Sequence, residues 1–222
     1  MVGALSRRIV AAHEGGHALA AWYSGSVERV HGVKILRSGG ITAYRQHERV
    51  HVPTQDLWSN VVIGVAGIAG EFRRGGRVYA PGAASDLVLA LRDAEAISRR
   101  CDPLVAFPVD TSGKTQVTRM LCAIPSEGAR HTLEAAYLKA RALLRSYDIE
   151  HQAIMRVLAF TDELSTRELG LLLGDRPRQV FALAPRGTRL RRRLRCLFWT
   201  VALCVRATFR ELWAATKEIY FP

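Results

Sequence analysis

The sequence predicts a mainly α-helical α+β protein: a helix carrying two histidines four residues apart, a small β-hairpin beside it, and a C-terminal helical bundle. Three observations predict this. Apolar residues recur at helical spacing through most of the 222-residue chain. A short alternating stretch folds back on itself at Ser38-Gly39-Gly40. Serine and threonine stand where helices would start, and glycine where they would stop. With 49% hydrophobic and 23% charged residues, the chain has the means to bury a core.

In order, Ser6 is expected to cap a helix from about Arg7 to Tyr23, with Gly25 as its stop. Gly15 and Gly16 lie inside it, where each costs about 1 kcal/mol against Ala. They are read as room for metal, water and substrate. Val30 to Arg37 and Ile41 to Arg45 read as the hairpin strands. A hairpin there could offer an edge strand to an extended peptide. Thr54 caps a second helix, about Gln55 to Arg74, in which Gly64, Gly67 and Gly70 invite close approach of another helix. Arg77 to Ala84 reads as a loop, with Ser85 capping a third helix from Asp86 to about Arg100. Residues 101–125 show no clear period. Ser126 caps a long helix to about Arg145, and another runs from Asp148 to about Phe160. Ser165 with Glu168 forms a capping box for a short helix ending at Gly174. Residues 1–176 are thus expected as one domain, with a catalytic part to about 125 and a helical bundle over 126–176. Residues 177–222 are read as a linker and a basic tail.

The chemistry concentrates in His13-Glu14-Gly15-Gly16-His17. Residues four apart share a helix face, so both imidazoles can reach one point. This is a zincin-like HExxH helix, with two metal ligands and a carboxylate placed to act as general base. A second match, His47-Glu48-Arg49-Val50-His51, lies between the hairpin and Pro53, and proline pushes its predecessor away from helical angles. In an extended segment those histidines stand roughly 13 Å apart, too far to share a metal. The first motif is therefore the candidate and the second a decoy. Catalytic zinc takes three protein ligands and leaves a position open. On chemistry alone Glu28, Glu71, Asp86 and Asp93 all qualify as the third. Asp86 also reads as an ordinary acid at a helix start, favoured by the dipole.

The net charge is +12 with a pI of about 10.3. Residues 186–222 hold nine Lys/Arg against two acids, so the basicity belongs mainly to the tail. Its run Cys196 to Val205 is apolar but about 15 Å long as a helix, half of a bilayer core. The first reading is an amphipathic helix on an anionic membrane surface. Packing on a partner or sister subunit, or a solvated appendage, are the alternatives. No nucleic-acid motif accompanies the arginines, so no specific nucleic acid is expected. Cys101, Cys122, Cys196 and Cys204 show no disulfide or structural-zinc spacing, which points to a reducing, cytoplasmic compartment. Met1 to Ser6 lacks the apolar core of a signal peptide.

Several stretches resemble the peptidase domain of the FtsH family of ATP-dependent zinc metalloproteases, over roughly Arg7 to Gly174. Val10 to Ala18 resembles that family's zinc helix, with Gly15 where Ala is usual. Gly40-Ile41-Thr42 resembles its glycine-led hairpin, and Ala66 to Glu71 its small-residue helix ending in Glu. Gly82-Ala83-Ala84-Ser85-Asp86-Leu87 resembles the segment whose Asp is the family's third zinc ligand. The resemblance implies a zinc (Zn2+) metalloendopeptidase acting on unfolded segments or peptides. His13, His17 and Asp86 would bind the metal, Glu14 would be the general base, and Glu71 would orient a ligand. The chain departs from the family in having no Gly-x-x-x-x-Gly-Lys-Ser/Thr phosphate loop, so no ATPase activity of its own is expected. That leaves a homo-oligomer or a separate ATPase as candidate partners. A catalytically silent scaffold docked by its basic tail is the alternative function.

Overall fold

A helix built on Val10, Ala11, Ala12, Ala18, Leu19, Ala20 and Ala21 has small side chains nearly all round, and such a helix is stable only when enclosed. In the computed structural model it is enclosed: α1 (Ala4–Trp22) is buried along residues 11–22. The structure describes residues 4–75, 78, 80–100, 120, 123–176, 181–185 and 187–220. Ser6 sits inside the first turn of α1 rather than capping it.

With α1, the described residues form seven helices and a three-stranded antiparallel sheet. β1 (Val27–Leu36) pairs with β2 (Gly39–Gln46), and on its other side with β3 (Glu163–Ser165), giving the order β2-β1-β3. The turn is Arg37-Ser38, so Gly39 and Gly40 belong to β2. Among the described residues β2 is an edge strand. The second HExxH, residues 47–51, is an exposed loop after it, as the proline predicted.

α2 (Thr54–Gly75) starts one residue earlier than expected. The Pro53 carbonyl accepts from the amides of Asp56 and Leu57, so Thr54 lies inside the helix. α2 crosses α1 at very short range. A Cβ on Gly16 would collide with the Ala66 carbonyl, and one on Gly70 with the Ala12 carbonyl. Gly15 instead faces His151 and Ile154, at 3.3 Å from where its Cβ would be. The paired glycines of α1 therefore admit other helices, not metal and substrate as the sequence reading had it.

α3 (Ala80–Arg100) begins six residues before the expected start. Pro81 falls in its first turn, where a missing amide hydrogen sacrifices no helical bond. The segment read as a loop is thus largely helix, and Asp86 stands in the second turn instead of the first. Most of the irregular segment, 101–119, lies outside the described residues.

α4 (Glu127–Ser146) is capped by Ser126, whose hydroxyl accepts from the Ala129 amide. α5 (Asp148–Thr161) and α6 (Thr166–Leu173) follow, and the Ser165/Glu168 capping box is present in full. α4 packs on α2 and α3, and α5 on α1, so these helices close the core around the HExxH helix. α7 (Arg189–Tyr220) lies along α5 and α6. Three arginines hold it there. Arg192 donates to both oxygens of the fully buried Glu150 (2.7 and 2.6 Å), and Arg195 donates to one of them (3.1 Å). Arg206 pairs with Glu168. Among the described residues no helix is long and apolar enough to cross a membrane.

His151 of α5 lies in the interior, donating from Nε2 to the Ala12 carbonyl at 3.0 Å. Burial pushes its pKa down to about 4. The unfolded chain therefore takes up this proton first as pH falls. The stability His151 contributes is complete above its ordinary pKa of 6.5 and is lost towards pH 4. Comparing wild type with His151→Gln isolates it. Between about pH 8 and pH 5 wild type should lose about 2 kcal/mol more than the variant in denaturant melts.

Candidate metal centre

α1 places His13 and His17 on the face turned towards α2, both buried. Gly67 of α2 makes the room, since a Cβ there would overlap both imidazole rings. Each ring is oriented through Nδ1. His17 Nδ1 donates to the Ile63 carbonyl at 2.7 Å, and His13 Nδ1 donates to the Glu71 carboxylate at 2.5 Å. Both partners can only accept, which leaves both Nε2 atoms facing inwards, 2.9 Å apart.

Asp86 of α3 closes the constellation. Its Oδ2 lies 2.7 Å from His13 Nε2 and 3.1 Å from His17 Nε2. The ligand atoms of His13, His17 and Asp86 all lie within 4.8 Å of one another, so these three residues could hold one metal ion. The donor set, two imidazole nitrogens and a carboxylate oxygen, is one that zinc accepts, and Nδ1 hydrogen bonding to a carboxylate or backbone carbonyl is the usual support for a ligating histidine.

The electrostatics favour a positive charge at this point. Burial opposes a charged His13, but the hydrogen bonds to Asp86 and Glu71 outweigh it and push its pKa up to about 10. Burial would also raise the Asp86 pKa, yet the bonds to His13 and His17 hold it well below the usual carboxylate range. Two inward-facing Nε2 atoms beside a carboxylate bind a proton strongly. The same arrangement suits a metal cation.

Glu14 stands beside the cluster and reaches the hairpin. Its carboxylate accepts from the Thr42 hydroxyl at 2.7 Å, and its backbone carbonyl accepts from the same hydroxyl at 3.1 Å. Gly40 clears the space, because a Cβ there would strike the Glu14 side chain. Glu14 and Thr42 line a groove of about 410 Å³ between β2 and the α2–α3 pair, with His17, Tyr44, Asp86 and Asp93.

The four acids that chemistry left open are now separated. Glu28 pairs with Arg45 on the surface, Asp93 lines the groove outside the cluster, Glu71 stands behind His13, and Asp86 faces both histidines. The reading of Asp86 as a dipole-favoured surface acid is corrected, because α3 starts earlier and turns this side chain inwards. Thr42 was missed as a functional residue. Its only sequence signal is its place next to the hairpin glycines. Removing its hydroxyl should loosen Glu14 without touching the metal ligands. Thr42→Val is expected to release the Glu14 carboxylate from this bond with the affinity of the His13–His17–Asp86 cluster for added zinc unchanged, and Thr42→Ser to restore the bond. Crystal structures of the two variants beside zinc titration check this.

No known family model matches the chain. Over 180 residues it is 29% identical to the ATP-dependent zinc metalloprotease YME1L of Drosophila melanogaster. The match takes in 75% of this chain but 24% of the length of that protein. It supports a distant relationship to a zinc metalloprotease.

Proposed function

We propose that this chain is a zinc-dependent metallopeptidase that hydrolyses peptide bonds in unfolded segments or peptides. The observation that carries the reading is the convergence of His13, His17 and Asp86, from two helices, beside a separately held Glu14 on an open groove. The distant similarity to a zinc metalloprotease agrees with it. Bound zinc would act as a Lewis acid on the scissile carbonyl and make water acidic enough to deprotonate near neutral pH. His13 Nε2, His17 Nε2 and the Asp86 carboxylate would hold it. Glu14 accepts the proton of the attacking water and returns it to the leaving nitrogen. Thr42 keeps the Glu14 carboxylate in one orientation meanwhile. β2, at the edge of the sheet and along the groove, offers main-chain groups to an extended substrate. Such pairing reads backbone rather than side chains, and it requires the substrate segment to be unfolded.

The test is cleavage of an unstructured polypeptide by zinc-loaded protein. Cleavage should stop on chelation, return with zinc, and spare the same polypeptide when it is folded. Cleavage that survives complete removal of metal would refute the proposal.

A further inference from the structure

The feature of the surface that the peptidase reading leaves unused is the outer face of α7. Its inner face is committed to the body: Cys196 and Leu203 are buried, and Arg192, Arg195 and Arg206 meet Glu150 and Glu168. The opposite face carries Leu190, Leu194, Leu197, Phe198, Val201 and Phe209, each more than half exposed. At helical rise this apolar stripe is about 28 Å long. An exposed stripe of that size marks a surface that something covers.

The charge around it says what. Arg189, Arg191 and Arg193 are exposed in the first turns of α7 and form no ion pair among the described residues. No acid lies in the first turn of that helix, and cations at a helix N-terminus are unfavourable by themselves. The positive surface continues beyond α7. A groove between α5 and α7 lined by Arg156, Arg189 and Arg193 shares Asp148, Gln152 and Arg156 with a cleft of about 890 Å³ that holds Arg7, Arg8, Arg73 and Arg74. Arg7 is paired with Asp162 and Arg73 with Asp148, so among the described residues the cations of this cleft that form no ion pair are Arg8, Arg74 and Arg156.

We infer that this face docks on an anionic membrane leaflet, with the α7 stripe entering the acyl boundary and the flanking arginines meeting lipid phosphates. A second copy of the chain would bring the same positive excess to the contact, whereas a leaflet of acidic phospholipid brings the opposite charge. The helix is then held between body and bilayer and lies in the plane of the interface. Each arginine near such a leaflet raises the partition constant by about fivefold.

The experiment uses the full chain and vesicles of phosphatidylcholine, with or without phosphatidylserine. Deleting α7 would strip Glu150 of its partners, so exposed positions are substituted instead, and thermal melts confirm folding. The chain should sediment with the anionic vesicles only, less so at high salt. Phe198→Glu with Val201→Glu should weaken binding at least about tenfold, as should Arg191→Glu with Arg193→Glu, while Arg191→Lys with Arg193→Lys retains it. Peptide cleavage in solution should be unchanged in all of them, so failure here is distinguishable from failure of the peptidase proposal. Three results would overturn the inference. The first is absent or charge-independent vesicle binding. The second is a dimer in sedimentation that Phe198→Glu dissolves, which assigns the stripe to a second copy. The third is binding to anionic vesicles that ignores Phe198→Glu with Val201→Glu and is competed by inositol hexakisphosphate, which assigns the arginines to a soluble polyanion.

Discussion

Glu14→Gln is expected to lower peptide cleavage by about a thousandfold while leaving bound zinc at wild-type stoichiometry. The two halves of this expectation have separate physical grounds. Glu14 contributes no atom to the His13–His17–Asp86 cluster, so the metal should not notice its loss. Glutamine is nearly isosteric, and its amide oxygen can still accept from the Thr42 hydroxyl that now holds the carboxylate. What it cannot do is take a proton from water. A variant that keeps its zinc, keeps its fold and still cuts would assign the chemistry to another group.

The second large effect is expected at Asp86. Asp86→Ala leaves two imidazoles without the carboxylate that stands within 3.1 Å of both. Zinc affinity should fall by more than about a hundredfold, since losing a support one bond removed from a metal already costs tens-fold. Cleavage should disappear with the metal. Asp93→Ala is the control: Asp93 lines the same groove but stands outside the cluster, so zinc should stay. Titration of both apo-proteins with a competing chelator measures the difference. Equal affinity in the two would remove Asp86 from the centre.

Much of this arrangement was legible because it is local. Gly39 and Gly40 follow the hairpin turn directly, Ser126 and the Ser165/Glu168 pair mark helix starts, and Pro53 separates the two HExxH matches by backbone angle alone. What escaped the sequence depends on contacts far along the chain or on ambiguous punctuation. Pro81 and Gly82 read as loop residues, yet a first turn of helix tolerates both, so the start of α3 and the inward turn of Asp86 were hidden. The role of Thr42 depends on a residue 28 positions away. Packing of the basic tail on its own domain was not among the readings, because Glu150 looks like any acid on a helix. Only the fold shows it buried and paired with two arginines of α7. The four candidate acids could not be ranked by residue type, since carboxylates differ as ligands only by where the backbone puts them.

The proposed chemistry depends on one point in space, enclosed by His13 Nε2, His17 Nε2 and the Asp86 carboxylate. Crystals of the zinc-loaded protein, measured on either side of the zinc absorption edge, locate that metal without reference to activity. A single anomalous peak bonded to those three residues, with a remaining position open to the groove beside Glu14, is the expected result. An empty cluster in zinc-saturated crystals, or a peak whose ligands exclude Asp86 or fill every position with protein, would contradict it.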